Sequence, residues 1–196
     1  MSRYDIVAIG ASAGGFDAVC RIVSSLPADY EIPVAVVQHR AKDSTALAEL
    51  LQDCSAIRVV EIDDKQPIEP RCCFVAPPDY HLLVDDGHFS LSTEGLVGYS
   101  RPSIDVFFES VADEFGPRVV GVVLTGANTD GSRGLKKIVE RGGRAIVQNP
   151  NTAEVSVMPE GARKMVKEAR VLELDDIAKH LIELGNLRRQ AVSGQT

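Results

Sequence analysis

The chain has 196 residues, enough for one compact domain with its own hydrophobic core. Its net charge of -7, with no basic run before Arg188-Arg189, argues against a broad nucleic-acid-binding surface. The N-terminal segment lacks the apolar stretch of a secretory signal, and no apolar run reaches the length of a membrane span. We therefore expect a cytoplasmic protein with no membrane insertion.

Apolar runs alternate with amphipathic stretches for most of the chain, which predicts parallel βαβ units. In the first half, strands are predicted at residues 5–9, 33–38, 57–62 and 71–76. A helix is predicted after Gly14-Gly15, and Ser44 is predicted to cap a second helix. The inner face of that second helix is expected to carry Leu47, Leu50, Leu51 and Cys54.

The alternating segment 80–92, centred on Asp86-Gly87, predicts a tight antiparallel hairpin. Further strands are predicted at 119–125 and 144–148, and further helices begin near Ile104, after the 119–125 strand, at 159–168 and at 175–187. The predicted fold is a single α/β domain over residues 1–190, doubly wound, with a mostly parallel sheet and one antiparallel β-hairpin. Residues 191–196 are predicted to be a disordered tail.

The four cysteines do not form a C-x-x-C pair, and no histidine lies at the spacing of zinc ligands. Cys20 and Cys54 fall on apolar helix faces, and adjacent Cys72-Cys73 lies in a strand, where the two side chains point to opposite faces. We expect buried thiols in a reducing compartment, with no metal site.

Three predicted strands each run into a residue with catalytic potential. Ser12 follows the first strand, His39 follows the second, and Asp130 lies in a glycine-flanked loop after the most apolar strand. Ligands of open α/β sheets bind at the carboxyl ends of the strands. If the three strands are neighbours, the side chains share one crevice.

These residue types suit nucleophilic catalysis. A serine hydroxyl becomes a competent nucleophile when a histidine accepts its proton, and an aspartate fixes the histidine tautomer. The glycines around Ser12 permit a sharp turn from strand to helix, and N–H groups at the start of that helix can stabilise an oxyanion.

Other interpretations of the same residues remain open. Gly10-Ala11-Ser12-Ala13-Gly14 could be a phosphate-binding turn, although its glycines do not fit G-x-G-x-x-G. His39 could be a structural histidine at a strand end. The residues that compete with Asp130 for the orienting role are Asp17, Asp79, Asp105 and Glu154; Asp17 and Asp105 are interpreted as surface or first-turn helix acids, and Asp79 as a turn residue.

Seven blocks in the sequence resemble those of CheB catalytic domains in order and spacing. They are IGASAGG, VVQH, FVAPPDYHLLV, RPSIDVFF, VVLTGANTDGSRGL, AIVQNP and VMPEGA, and the resemblance covers roughly residues 5 to 185. It implies the methylesterase α/β fold and an enzyme of chemotaxis signalling that hydrolyses glutamyl methyl esters on chemoreceptor helices to glutamate and methanol. Some members of the family also deamidate receptor glutamines.

The resemblance implies Ser12 as nucleophile, His39 as general base and acid, and Asp130 as its orienter. It implies an oxyanion site at backbone N–H groups near Ala13 and in the loop that contains Ala127. Arg101 matches the family's R-P-S block and is a candidate substrate-binding residue, with a structural ion pair as the alternative.

The sequence departs from the family pattern next to the catalytic residues. Ala13 stands where the family usually has Thr, so a hydroxyl near the oxyanion is missing, and Ala127 stands where Met is common. Arg40-Ala41 replaces an apolar pair, commonly Met-Pro, which changes the charge of the pocket rim and makes Arg40 a second candidate substrate-binding residue. These differences put rate and substrate choice in question but leave the triad intact.

The resemblance implies no metal or organic cofactor. Family members commonly carry an N-terminal receiver domain, whereas the first predicted strand here begins close to Met1, so we expect none in this chain. Three alternatives stay open: a constitutively accessible esterase, control by a regulatory partner, or a catalytic piece of a longer protein. Two other functions remain as alternatives: a weakly catalytic or non-catalytic module that binds a receptor or adaptor, and a nucleotide-binding domain.

Overall fold

The computed structural model describes residues 4–193. The strands in this range are β1 (Ile6–Ala11), β2 (Val34–Gln38), β3 (Arg58–Glu61), β4 (Cys72–Val75), β5 (His81–Asp85), β6 (His88–Ser92), β7 (Val119–Val123), β8 (Arg144–Gln148) and β9 (Arg170–Leu172). The helices are α1 (Gly15–Val23), α2 (Leu47–Cys54), α3 (Ile104–Phe115), α4 (Ser132–Glu140), α5 (Val157–Met165) and α6 (Leu174–Ser193).

Within the described residues, seven strands form one parallel sheet in the order β3-β4-β2-β1-β7-β8-β9. The inner strands are rich in β-branched residues and buried on both faces, as parallel sheets require when helices cover each side. β1 lies at the centre, between β2 and β7. The three strands that lead into Ser12, His39 and Asp130 are therefore direct neighbours in the sheet.

Two hydrophobic cores lie on opposite faces of this sheet. Helices α1, α2 and α6 pack on one face, and helices α3, α4 and α5 pack on the other together with the β5–β6 hairpin. Successive residues of β1 alternate between the two cores, because side chains of a strand point to opposite faces in turn. The predicted doubly wound, mostly parallel architecture is confirmed.

The predicted hairpin is also confirmed. β5 and β6 pair antiparallel, and Asp86 and Gly87 connect them with φ values of 48° and 72°, as a two-residue turn of type I′ requires. Phe89 of β6 packs on Phe74 of β4, with ring centroids 4.9 Å apart, which fixes the hairpin to the sheet.

Some local predictions are wrong. α2 begins after Ala46, and no side chain caps it, so Ser44 is not its N-cap. Leu50 was expected on the inner face of α2, but it is 49% exposed, because α2 presents Leu47, Ala48, Leu51 and the partly buried Cys54 to the core. Strand β9 was not predicted: it is three residues long, lies at the sheet edge and is largely exposed, so it has no buried alternating pattern.

The cysteines divide into two pairs. Cys72 and Cys73 are buried free thiols that belong to opposite cores, as predicted, and burial raises the pKa of both. Cys20 of α1 and Cys54 of α2 face each other, with Cα atoms 6.4 Å apart and their sulfurs in contact. This contact was not expected from the sequence, and it forms because the apolar faces of α1 and α2 pack together. The presence of thiols at these two positions stays a prediction.

Helix α6 is described as far as Ser193 and so extends into the predicted tail, of which residues 194–196 lie outside the described residues. Over the part of the chain that the structure describes, no helix combines the length and apolar character needed to cross a membrane.

Candidate active site

The turn after β1 presents Ser12 at the carboxyl edge of the sheet. The Ser12 N–H donates to the carbonyl of Thr125, 3.0 Å away, and the Ser12 carbonyl accepts a hydrogen bond from the Gly15 N–H at 2.8 Å. Gly14, with φ of 70°, makes the left-handed step that starts α1 directly after the serine. The local structure is therefore a sharp strand-to-helix turn, the arrangement that exposes a nucleophile.

His39 lies beside this turn because of strand register. Ala11 pairs with Gln38, the residue before His39, and the His39 N–H donates to the Ala11 carbonyl at 3.0 Å. The backbone thus continues the β1–β2 ladder by one residue and places His39 alongside Ser12.

His39 and Asp130 form a nearly buried pair. The distance from His39 Nε2 to Asp130 Oδ2 is 2.8 Å, and the two side chains are 14% and 7% exposed. Because an ionised carboxylate only accepts hydrogen bonds, Nε2 carries the proton in this contact and Nδ1 of the neutral ring is the free base. The Asn128 side-chain amide lies 3.3 Å from Nδ1 and donates to it in this tautomer.

Among the hydrogen bonds of the described residues, none joins Ser12 Oγ to His39. Catalytic hydrogen bonds are often long or misaligned without substrate and tighten in the complex. In this tautomer Nδ1 is the nitrogen that could accept the serine proton. To do so, it would lose the hydrogen bond from the Asn128 amide and gain one from the Ser12 hydroxyl.

The N-terminus of α3 forms a cradle for the Asp130 carboxylate. Oδ2 accepts from the Ile104 N–H at 2.7 Å, and Oδ1 accepts from the Asp105 N–H at 2.9 Å, the Gly131 N–H at 3.0 Å and Ser103 Oγ at 3.0 Å. Burial alone would raise the pKa of Asp130. The hydrogen bonds from His39 and from the backbone of Asp105 and Ile104 outweigh burial, so its pKa is lowered and it is an anion.

The cradle is itself tied to α4. Asp105 accepts from the Gly134 N–H at 2.8 Å and from Arg133 Nε at 3.0 Å. Asp105 lies in the first turn of α3, one of the two places expected, but it is 6% exposed and is not a surface residue. Sequence reasoning did not find this cradle, although one signal was present: Ser103 stands as an N-cap directly before the apolar face of α3.

The two residues predicted to supply oxyanion N–H groups are Ala13, directly after the serine, and Ala127, in the loop after β7. Both residues are exposed, and neither N–H has an acceptor among the described residues. The loop after β7 packs closely on the turn, since a Cβ on Gly126 would lie 2.9 Å from Ser12 Cβ. Thr125 Oγ1, which sequence reasoning missed, donates to the Ala13 carbonyl at 2.8 Å and so holds the Ala13–Gly14 peptide that follows the serine turn. Both residues therefore keep a backbone donor available for the oxyanion site that the sequence predicts.

Arg40 and Arg101 are engaged within the protein. Arg40 Nη2 donates to Glu61 Oε2 at 2.7 Å and to the Ala76 carbonyl at 2.8 Å, and its side chain is 6% exposed. Arg101 donates to Asp79 Oδ1 from Nε and Nη2, at 3.0 and 2.6 Å. The structural ion pair considered for Arg101 is therefore present, and Asp79 is a turn residue with φ of 63° as well as an ion-pair partner.

Two cavities open beside the catalytic pair. One of about 460 Å³ is lined by His39, Arg40, Arg101 and Tyr99, and one of about 350 Å³ is lined by Asn128 and Asp130. A larger groove of about 720 Å³ runs along α4 but contains none of the three candidate catalytic residues. The candidate catalytic side chains therefore locate the site better than the size of the cavities does. Nowhere in the described residues do three or more His, Cys, Asp or Glu side chains group so as to hold a metal ion.

Comparisons with known proteins show the family of this chain. Residues 7–181 match the family model described as CheB methylesterase. A relative from Leptospira interrogans, provisionally named a protein-glutamate methylesterase/protein-glutamine glutaminase, is 43% identical over 184 residues, covering 93% of this chain and 95% of the relative. Protein-glutamate methylesterase FrzG of Myxococcus xanthus is 38% identical over 182 residues, covering 92% of this chain but 54% of that relative, so this chain spans about half its length.

Among solved structures, the chain is similar to the crystal structure of the Thermotoga maritima CheB methylesterase catalytic domain. The TM-score is 0.88 at 31% sequence identity, and the match covers 92% of this chain and 98% of that one.

Proposed function

Because this chain belongs to the CheB methylesterase family, we propose that it is a serine esterase that hydrolyses glutamyl methyl esters on chemoreceptors to glutamate and methanol. The observation that carries the proposal is the His39–Asp130 pair on the strands that flank the serine turn. Deamidation of receptor glutamines uses the same acyl chemistry, and the Leptospira relative carries both activities in its name.

In the proposed acylation step, Ser12 Oγ attacks the ester carbonyl carbon and His39 Nδ1 takes the hydroxyl proton. The carbonyl oxygen becomes an oxyanion beside the N–H groups of Ala13 and Ala127. When the tetrahedral intermediate collapses, the ester C–O bond breaks, and the imidazolium returns the proton to the departing methanol.

In the proposed deacylation step, water attacks the glutamyl-Ser12 ester, and His39 Nδ1 takes a proton from it. The serine leaves with that proton, and glutamate is released. Throughout, Asp130 keeps Nε2 protonated and stabilises the imidazolium, while the α3 cradle keeps the carboxylate fixed and ionised. No step uses a metal or an organic cofactor.

The substrate proposed is the cytoplasmic helical region of methylated receptors, which places the enzyme in the cytoplasm, and residues 1–190 are proposed to act as a single catalytic domain. Arg40 and Arg101 remain candidate rim residues, acting through the charge and shape of the cavity they line. Control by a regulatory partner also stays a prediction.

The comparisons do not favour a non-catalytic binding module or a nucleotide-binding domain. The alanine at position 13 bears on rate, because one oxyanion donor is worth about 100- to 1,000-fold in kcat. Two backbone N–H groups remain available here. We therefore expect the protein to turn over its substrate, with a lower kcat than a relative that has a threonine hydroxyl at the position of Ala13.

The test is methanol release from methyl-labelled receptor membranes, with wild type and Ser12→Ala compared. Release by wild type that disappears in Ser12→Ala establishes the esterase and its nucleophile together. A fluorophosphonate probe provides the second readout. If the probe labels Ser12 but no methanol appears, the chain is a serine hydrolase with another ester substrate; if the probe does not label wild type, the catalytic proposal is wrong.

A further inference from the structure

A loop of residues 93–101, the rim loop, joins β6 to α3 and borders both cavities of the site. Leu96, Tyr99 and Ser100 line the cavity that contains His39. Val97 and Gly98 line the cavity that contains Asn128 and Asp130. Any substrate that reaches the catalytic residues through either cavity therefore passes the rim loop.

The base of the rim loop is firmly held. Arg101 Nη1 donates to the carbonyls of Thr93 and Glu94, at 2.7 and 2.9 Å, while its other nitrogens bind Asp79. His81 Nε2 lies 3.0 Å from the Gly95 carbonyl. Arg101 and His81 thus fix the three residues that precede Leu96.

The tip of the rim loop projects from this base as a tight turn. Val97 and Ser100 exchange both backbone hydrogen bonds, at 3.1 and 3.0 Å, and Gly98 and Tyr99 connect them with φ values of 57° and 65°. Both φ values are positive, as in a type I′ turn, a conformation that is unfavourable for a bulky residue such as tyrosine.

The side chains at the tip contribute little to the fold. Tyr99 is 97% exposed and Leu96 is 59% exposed. An aromatic ring in an unfavourable backbone conformation, with almost no buried surface, has no stabilising role within the domain. Large exposed apolar side chains grouped beside a site are typical of contact surfaces.

We propose that Leu96 and Tyr99 are specificity-determining residues that contact the polypeptide carrying the ester glutamate. The inference rests on the proposed function, because only a protein substrate has backbone on both sides of the glutamate that bears the ester. A glutamyl side chain is short, so its backbone must come to the mouth of the site when the ester carbon reaches Ser12. The rim loop stands at that mouth, and its tip then buries apolar surface against the substrate.

The first test compares a protein substrate with a small one. Tyr99→Ala and Leu96→Ala are each expected to lower kcat/KM for methyl-labelled receptor about tenfold, mainly through KM, as truncation of a buried contact residue does. The loss in kcat/KM for p-nitrophenyl acetate, which has no polypeptide to contact the tip, should be several times smaller than the loss on the receptor. Leu50→Ala is the matched control, since Leu50 is 49% exposed on α2 and lines neither cavity. Equal loss on both substrates, or no loss on the receptor, overturns the proposal.

The second test does not depend on turnover. The chain has no tryptophan, so Tyr99→Trp in a Ser12→Ala background places the protein's single tryptophan at the tip, where it can be excited selectively over the remaining tyrosines. A methylated receptor fragment should shift its emission to shorter wavelength and saturate, whereas Leu50→Trp in the same background should not respond.

The outcomes separate this inference from the proposed function. A saturable shift without methanol release by wild type supports the contact and removes the esterase assignment. Methanol release with no shift, and with Tyr99→Ala equal to wild type, keeps the esterase and removes the contact. A shift that follows the enzyme concentration alone identifies a second copy of the chain as the occupant and overturns the proposal.

Discussion

Two carboxylates border His39 and are held in different ways. Asp130 is 7% exposed and is held by backbone N–H groups, one hydroxyl and the histidine itself. Asp79 is 31% exposed and is held by the charged side chains of Lys42 and Arg101. The pKa of each carboxyl is lowered. For Asp79 the main causes are the hydrogen bonds from Lys42 and then Arg101. For Asp130, burial would raise the pKa, and the hydrogen bonds from His39 and the α3 backbone outweigh it.

The difference matches the two tasks. A carboxylate that must orient an imidazole needs fixed donors in a dry environment, where water and salt neither compete nor screen. A carboxylate that anchors a loop at the surface can rely on mobile charged partners, whose attraction falls with salt. The comparison can be tested on catalysis, on stability, on pH dependence and on salt dependence, in decreasing order of expected effect.

The largest expected effect is on catalysis. Asp130→Asn should lower kcat about 1,000- to 10,000-fold, because a neutral amide neither holds the histidine tautomer nor stabilises the imidazolium. Asp79→Asn should leave the hydrolysis of p-nitrophenyl acetate within about twofold. The two variants are compared with wild type on that ester; a loss below tenfold in Asp130→Asn would remove Asp130 from the triad.

The next effect is on folding stability. Asp130→Ala leaves the N–H groups of Ile104, Asp105 and Gly131 without their acceptor, and buried donors without partners cost about 1–3 kcal/mol each when water cannot reach them. With partial access of water, we expect a loss of about 2–4 kcal/mol in the free energy of unfolding, measured in urea. Asp79→Ala, the surface counterpart, should leave the midpoint close to wild type.

A smaller effect concerns pH. The folded pKa of Asp130 lies below its unfolded value, so its stabilising contribution is complete above a pH of about 4 and is lost as the pH falls through the folded pKa. The difference in unfolding free energy between wild type and Asp130→Asn should therefore stay constant down to a pH of about 4 and shrink as the pH is lowered further. Urea midpoints of both proteins along this range test the sign, and a difference that stays constant below that pH contradicts it.

The smallest effect concerns salt. Adding about 1 M NaCl screens exposed ion pairs, so wild type and Asp79→Asn should converge in KM for the receptor substrate as the rim loop loses its anchor. The effect of Asp130→Asn on kcat should not change with salt. If salt alters both differences equally, the two carboxylates do not differ in the way described.

Most of the architecture could be predicted because the inner strands carry their own signal. β1, β2 and β7 are apolar runs of the right length, and glycine or polar residues follow them. β9 could not be predicted, since an edge strand of three largely exposed residues differs little from a loop. The uncapped start of α2 was also out of reach, because tertiary packing and not a capping residue sets it.

The same division applies to the site. Ser12, His39 and Asp130 were predicted from one rule, that chemistry gathers at the carboxyl ends of strands, and the structure brings His39 and Asp130 into contact. The cradle for Asp130 and the Asp79–Arg101 contacts that hold the base of the rim loop could not be predicted in detail. Each joins groups far apart in sequence, such as Ile104 with Asp130 or Asp79 with Arg101, through contacts that no local pattern encodes.

The central position of β1 also has a consequence for how the protein is made. β1 pairs with β2, which follows soon after it in the chain, and with β7, which is synthesised only after the hairpin and α3. Pairing between such distant segments carries a high entropic cost and slows folding. A nascent chain that has formed the β1–β2 pair places Ser12 beside His39 while Asp130 is still missing. Esterase activity can therefore arise only late in biogenesis, and we expect it to follow β1–β7 pairing in refolding experiments.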